Sequence, residues 1–168
     1  MSPPLTEKTG AGAPGRGEIF ALPVQINYED TDAGGVVYYG NYLGYMERAR
    51  NACLRQMGFP LTRLKQRHAI LFVVTEARLK YLAAAHLDDE IEVTLEILRL
   101  GRASLIFHQQ VRRDGRVLVD GEIRLAVVNS DTFTPCRMPA ELAGALGRWA
   151  DGGDDGADLA PGEQPEAP

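Results

Sequence analysis

One long helical pattern, followed by four strand patterns and no second long helix, constrains the fold of this 168-residue chain more than any other feature. From about Tyr39 or Asn41 to Met57, apolar residues recur every three or four positions, and Gly58 and Pro60 then favour the end of a helix. The predicted apolar face consists of Tyr42, Met46, Ala49, Cys53 and Met57, with Tyr45 and Leu54 beside it. The charged residues expected largely on other faces are Glu47, Arg48, Arg50 and Arg55. The width of the apolar face predicts a helix that is substantially buried.

Alternating patterns on both sides of this helix predict five strands. Before the helix, Val24, Ile26 and Tyr28 alternate with polar residues. After it, Leu61–His68 indicates a short connection of about one helical turn. The later strand patterns span 69–82, 91–97, 103–111 and 117–128, and Asp114-Gly115 is a strong hairpin signal between the last two. Residues 139–149 favour a short terminal helix.

This order of elements predicts an α+β fold in which a curled antiparallel sheet wraps around a long central helix. Such a layer leaves a sheet face or an edge strand uncovered, so we expect a homodimer or a larger oligomer. The folded domain is predicted to span 18–150. Residues 1–17 and 151–168 are rich in Pro, Gly and polar residues, and we expect them to form a disordered N-terminal tail and a disordered acidic C-terminal tail.

The distribution of charge argues against nucleic acid as a partner. The formal net charge is -5, but six of the acidic residues lie in 151–168, and the predicted domain carries equal numbers of acidic and basic residues. The longest purely apolar run, 69–74, is far too short for a membrane span, and the N-terminus lacks the apolar core of a secretory signal. We therefore expect a cytoplasmic protein without membrane insertion, in which Cys53 and Cys136 are reduced thiols.

An acidic turn before the helix carries the most suggestive chemistry. Asp30 and Asp32 lie beside Gly34-Gly35, a few residues before backbone N–H groups that a helix start leaves unpaired. Those N–H groups could polarise an acyl carbonyl while a carboxylate attacks the carbon or activates water. A thioester is the substrate that one carboxylate and these N–H donors could hydrolyse, because a thiol, with a pKa of about 8.5, leaves without a strong general acid. The alternative is an ordinary capping aspartate.

Other sites have weaker support in the sequence. There is no GxSxG elbow and no phosphate-binding glycine loop, and His68, His86 and His108 are too widely spaced to suggest a metal site. We therefore expect no metal and no redox cofactor. Glu47 has two interpretations: a second catalytic carboxylate facing a cleft, or a helix residue that is exposed or ion-paired.

Three segments carry a resemblance to a known family: YEDTDAGGVVYYGNYLGYMERAR, FVVTEARLKYLAAAHLDDEIEV and LGRASLIFHQQVRRDGRVLVDGEIRLAVVN. They resemble the YbgC-type acyl-CoA thioesterases of the 4-hydroxybenzoyl-CoA thioesterase family, which have the hotdog fold. The resemblance covers 23–139. It implies hydrolysis of an acyl-CoA to the free acid and CoA, in a homodimer commonly paired into a homotetramer, with the active site between subunits.

The resemblance also assigns roles to residues. It implies that Asp32, rather than Asp30, is the catalytic nucleophile or general base, and that the backbone N–H of Tyr39 polarises the carbonyl. Gly40 is expected beside the substrate, and Arg102 and Ser104 near the pantetheine and phosphate end of CoA. The alternative for Arg102 is an ordinary turn residue. The family often has VVYHANYL where this chain has VVYYGNYL, so chain-length preference and rate are the properties that this departure affects.

Two rival functions follow from the same fold. One is a weakly catalytic or non-catalytic hotdog module that binds acyl carrier protein or an envelope-lipid enzyme, and the presence of Asp32 argues against it. The other is a hotdog hydratase or dehydratase, which would need a histidine near the helix. No histidine lies between Glu18 and Arg67, so the sequence disfavours this chemistry.

Overall fold

Five strands and three α-helices make up the part of the chain that the computed structural model describes, which is residues 17–150 together with Pro14. In chain order they are β1 (Phe20–Gln25), α1 (Asn41–Gln56), α2 (Leu61–His68), β2 (Ile70–Tyr81), β3 (Glu90–Leu100), β4 (Ser104–Arg113), β5 (Arg116–Asn129) and α3 (Ala140–Ala150). A 3-10 turn, Tyr28–Asp30, follows β1. The two predicted tails lie outside the described residues, apart from Pro14 and Gly17.

The five strands form one open antiparallel sheet in the order β1-β3-β4-β5-β2. Helix α1 packs against β1 and β3, and α3 also packs against β3. At the β4–β5 hairpin, Asp114 and Gly115 have φ angles of 50° and 77°, as a tight turn with the twist of the sheet requires. The predictions of an α+β fold, of the central helix and of this hairpin are confirmed.

Helix α1 buries a wider face than its apolar residues alone indicated. The buried residues of the helix are Tyr42, Tyr45, Met46, Ala49, Arg50, Ala52, Cys53 and Leu54. The prediction that Arg50 lies with the polar residues was wrong, because its side chain is only 8% exposed. Its Nη1 donates to Oε1 of Gln109 on β4 at 2.7 Å, and Nε2 of Gln109 donates to the carbonyl of Met46 at 3.0 Å. A buried acceptor on the sheet thus lets the guanidinium pack in the core.

Two local predictions also differ from the structure. The alternating pattern predicted that the first strand includes Tyr28, but β1 ends at Gln25. Tyr28 lies in the 3-10 turn and is 83% exposed. The segment Leu61–His68 is a helix of eight residues rather than a single turn. It packs on the core through Leu64, which is 2% exposed.

A cluster of charged side chains joins three strands on the sheet face opposite α1. His108 on β4 contacts Glu96 on β3 through Nδ1 at 2.6 Å and Asp120 on β5 through Nε2 at 2.8 Å. Burial alone lowers the pKa of His108, but its hydrogen bonds to the two carboxylates outweigh burial and raise that pKa above its ordinary value. Asp120 also accepts a hydrogen bond from Gln110 and interacts with the charge of Lys80. Protonated His108 therefore links β3, β4 and β5.

This cluster should make stability depend on pH. Because the pKa of His108 is higher in the folded state, its contribution is complete below the unfolded pKa and is lost as the pH rises through the folded pKa. Between about pH 6 and pH 9 the free energy of unfolding should fall by about 1 kcal/mol more in the native protein than in His108→Gln, measured by urea denaturation. His68→Gln, which removes a histidine with no ion pair among the described residues, should behave as the native protein does.

Candidate active site

The loop between β1 and α1 is pinned against the connection between β2 and β3. Thr31 and Val37 form an antiparallel bridge across the loop, and Val36 forms another with His86. The N–H of Val37 also donates to the carbonyl of Ala85 at 2.9 Å. These contacts hold the acidic turn at the start of α1 against the body of the protein.

Asp32 forms the turn with its own backbone and one carboxylate oxygen. Its Oδ1 accepts a hydrogen bond from the N–H of Gly34 at 2.7 Å, and its carbonyl accepts one from Gly35 at 3.0 Å. Its own N–H donates to the carbonyl of Val36 at 2.9 Å. Oδ2 has no hydrogen-bond partner within residues 17–150, and the side chain is exposed. The turn therefore fixes the carboxylate and leaves one oxygen available.

The two glycines in the turn are required for different reasons. A Cβ atom at Gly34 would lie 3.1 Å from Oδ1 of Asp32, so a larger residue would require the carboxylate to shift slightly. Gly35 has a φ of 74°, in the left-handed region that L side chains rarely adopt. The glycine pair thus keeps the Asp32 carboxylate close to the backbone.

Asp30 has a different set of contacts from Asp32. Its Oδ2 accepts a hydrogen bond from the N–H of Asn27 at 2.8 Å. Its carbonyl accepts from the N–H of Tyr38 at 3.0 Å and from Nδ2 of Asn41 at 2.9 Å. Asp30 therefore ties together the two ends of the loop.

The start of α1 presents backbone donors without acceptors. Asn41 donates its N–H to the carbonyl of Tyr38 at 2.9 Å, but neither the N–H of Tyr39 nor that of Gly40 has an acceptor among the residues that the structure describes. Tyr39 is 63% exposed. Such N–H groups lie at the positive end of the helix dipole, where they favour an oxygen that gains negative charge. Asp32, Tyr39 and Gly40 thus belong to one loop.

Arg102 and Ser104 lie far from that loop within a single chain. They are exposed residues at the turn between β3 and β4, where Gly101 donates its N–H to the carbonyl of Ser104 at 2.8 Å. The acidic loop is bonded to the connection at the other end of β3. Ten steps along β3 correspond to roughly 33 Å, so one chain does not bring Arg102 together with Asp32.

A cleft of about 180 Å³ opens between α1, α2 and the sheet. Its volume is similar to that of an engineered apolar cavity of about 150 Å³ that binds benzene. The apolar residues that line it are Leu54, Leu61, Leu64, Ile70, Leu71, Phe72, Val74, Leu105, Phe107, Leu125 and Leu146. Its polar residues, Glu47, Arg50 and Asn51, all come from α1. The cleft has the size and composition of a site for a small apolar group.

Comparison with known proteins identifies the family. A family model for the thioesterase-like superfamily matches residues 26–146. The chain belongs to this superfamily. The acyl-CoA thioesterase YbgC of Haemophilus influenzae is 36% identical over 127 residues, covering 76% of this chain and 93% of that protein. The fold is the hotdog fold.

Two solved structures of thioesterases have the same fold as this member of the superfamily. A probable thioesterase from Bartonella henselae is 28% identical with a TM-score of 0.70, covering 73% of this chain and all of that one. The BH1999 gentisyl-coenzyme A thioesterase is also 28% identical, with a TM-score of 0.69, covering 75% of this chain and 98% of that one. Within its described residues, this thioesterase-like chain has no cluster of His, Cys, Asp or Glu that could hold a metal ion. No helix in the described residues has the length and apolar character to cross a membrane.

Three residues of this thioesterase-like chain make contacts that the sequence did not predict. Arg50 and Gln109 form the buried pair beside the cleft, and the signal for Gln109 was its position on the apolar face of β4, between Phe107 and Val111. Tyr81 falls within the strand pattern 69–82, and its hydroxyl donates to the carbonyl of Tyr39 at 3.2 Å. No local pattern indicates a contact between residues 42 positions apart.

Glu47 faces the cleft and forms no ion pair with the described residues. Its side chain is exposed, which agrees with the interpretation of Glu47 as an exposed helix residue. Eight residues also separate it from Tyr39, which corresponds to about 12 Å along the helix. Within one chain, Glu47 therefore does not lie at the carbonyl that the Tyr39 N–H would polarise.

Proposed function

We propose that this protein is an acyl-CoA thioesterase that hydrolyses the thioester to the free acid and CoA. The observation that carries the proposal is one loop before α1, in which Asp32 keeps a carboxylate oxygen available and the N–H of Tyr39 has no acceptor among the described residues. The H. influenzae and BH1999 relatives, both named as thioesterases acting on CoA esters, support it.

In the proposed reaction the thioester oxygen accepts a hydrogen bond from the Tyr39 N–H. The positive end of the helix dipole then stabilises the negative charge that this oxygen gains as the carbonyl carbon becomes tetrahedral. Asp32 acts by one of two routes. Its carboxylate attacks the carbon, expels CoA thiolate and forms an anhydride that water hydrolyses, or it takes a proton from water whose oxygen attacks the carbon. Both routes consume one water and release the acid and CoA.

We further propose that a second copy of the chain completes the site, as a homodimer that pairs into a homotetramer. Arg102 and Ser104 would then reach the CoA phosphates from the neighbouring copy, because one chain separates them from Asp32. The edge strands β1 and β2 are available for such contacts. Apolar residues along and beyond β2 are also exposed, including Val74 at 54% and Leu82 at 59%. Light scattering after size-exclusion chromatography measures the assembly directly.

The activity itself is tested by assaying the native protein with a panel of acyl-CoAs from short and aromatic to long-chain, and by following release of the CoA thiol. We expect turnover of at least one thioester without added metal. Failure to hydrolyse any member would contradict the proposal and favour the non-catalytic binding module.

The cleft supplies a prediction about the acyl group. If the acyl chain extends into it, Leu61→Trp should fill the cleft and lower kcat/KM at least 10-fold for the acyl groups that the native enzyme prefers, while acetyl-CoA is little affected. Leu98→Trp places the same bulk at an exposed residue outside the cleft and should leave the profile unchanged. An equal loss for all chain lengths in Leu61→Trp would show that the acyl group does not enter the cleft.

A further inference from the structure

Tyr81, at the end of β2, contacts the turn that precedes α1. Its hydroxyl donates to the backbone carbonyl of Tyr39, with 3.2 Å between the two oxygens. Its ring meets the Tyr39 ring edge-on with the centroids 6.2 Å apart, and lies 5.9 Å from the ring of Tyr42. The sheet therefore contacts both the backbone and the side chain of the residue whose N–H faces the proposed substrate.

The Tyr39 carbonyl and the Gly40 N–H belong to the same peptide unit. In a planar trans unit the N–H points away from the carbonyl oxygen, so a bond to the carbonyl also sets the direction of the N–H. Within residues 17–150, the Tyr81 hydroxyl is the only hydrogen-bond donor to the Tyr39 carbonyl, and the Gly40 N–H has no acceptor. Tyr81 thus orients a donor that is free to bind a ligand.

The preceding peptide unit is held by a different element. The N–H of Asn41, in the first turn of α1, donates to the carbonyl of Tyr38 and so orients the N–H of Tyr39. Gly40 itself has helical angles, with φ -67° and ψ -25°. In the first turn of a helix, successive N–H groups point towards the N-terminal side, where they can share one anionic oxygen.

We propose that Tyr81 is a positioning residue of the thioesterase site, whose hydroxyl aligns the Gly40 N–H as a second donor to the thioester oxygen beside the Tyr39 N–H. The inference rests on the proposed function. Donors that are already oriented stabilise a developing charge without having to turn during the reaction. Partial burial, and then the neighbouring Tyr39, raise the pKa of Tyr81, so the hydroxyl keeps the proton that it donates.

Tyr81→Phe tests this role because it removes the hydrogen bond and keeps the ring contacts. We expect kcat to fall about 10-fold, with KM within about twofold of the native value, as for the loss of an interaction made in the transition state. A trifluoromethyl ketone analogue of the acyl-CoA adds water to form a tetrahedral hydrate, which resembles the tetrahedral intermediate, and should bind to Tyr81→Phe about 10-fold more weakly. Free CoA should bind as tightly as to the native protein. If Tyr81 had a purely structural role, Tyr81→Phe would change the affinities for both the analogue and free CoA, or would change neither.

The matched control is Tyr28→Phe, which removes an 83% exposed hydroxyl from the preceding turn and should match the native protein in all four measurements. The ratio of analogue affinity to CoA affinity compares two ligands on the same folded molecules, so it can be measured even if only part of the Tyr81→Phe protein is folded. An unchanged kcat and an unchanged ratio in Tyr81→Phe, with Asp32→Asn inactive, would overturn the inference and leave the proposed function standing. Absence of turnover in the native protein would overturn both.

Discussion

Replacing Asp32 by Asn is expected to lower kcat for the best acyl-CoA by about 10³-fold, which is about 4 kcal/mol of transition-state stabilisation. Asn is a close test because its amide oxygen can still accept the hydrogen bond from Gly34, so the turn keeps its shape. Only the negative charge and the available Oδ2 are lost. KM should stay within a factor of about three, because the proposed carboxylate acts on the reacting carbon or on water and does not bind CoA.

Asp30→Asn provides the matched control for this substitution. The amide oxygen of the new side chain can replace Oδ2 of Asp30 as the acceptor for the Asn27 N–H. The contacts with Tyr38 and Asn41 are made by the backbone carbonyl of residue 30, so the substitution leaves them in place. Its kcat should therefore lie within a few-fold of the native value. If Asp32→Asn kept the native rate, or if Asp30→Asn lost as much activity, Asp32 would not be the reactive carboxylate.

Gln109→Leu is expected to have the largest effect on stability, a loss of about 3 kcal/mol in the free energy of unfolding. The Gln109 side chain is fully buried and provides the only hydrogen bond of the Arg50 side chain among the described residues. Burial already lowers the pKa of Arg50, with the Glu47 carboxylate opposing this effect. Without Gln109, the buried guanidinium would lose its hydrogen-bond acceptor, and leaving a buried charged donor without an acceptor costs more than the loss of an ordinary hydrogen bond.

A double-mutant cycle separates this explanation from a simple loss of packing. Arg50→Met combined with Gln109→Leu replaces the polar pair by apolar side chains, and should recover most of the stability that Gln109→Leu loses. Urea denaturation at one fixed protein concentration measures all four proteins, so that any assembly contributes equally. A loss in Gln109→Leu as small as about 1 kcal/mol would indicate that water entering the cleft solvates Arg50.

Local patterns predicted the elements well because each pattern lies within consecutive residues. The three-to-four-residue spacing located α1, which begins at Asn41, and Asp114-Gly115 located the β4–β5 hairpin. The same reasoning failed at Tyr28, where alternation continued past the true end of β1. There the next residues close a 3-10 turn through the Asn27–Asp30 contact, which the period of a strand does not reveal.

The candidate site was predictable only in part. The acidic turn with its glycines and the start of the helix lie within about a dozen residues, so the sequence alone indicated that Asp32 and Tyr39 share a loop. Local chemistry did not distinguish Asp32 from Asp30, and the resemblance made that choice. The contacts now show how the two differ, because Asp30 binds both ends of the loop while Asp32 keeps an oxygen available.

The sequence by itself determined the α+β class, the central helix, the hairpin and the loop that carries Asp32, because nearest-neighbour periodicity and turn chemistry encode these features. Only the tertiary structure decided the strand order, the burial of Arg50 against Gln109, the separation of Arg102 from Asp32 and the contact of Tyr81 with Tyr39. The bonded pairs lie 59 and 42 residues apart. Which distant side chains meet depends on how the sheet orders its strands around α1, and no short stretch of sequence contains that information.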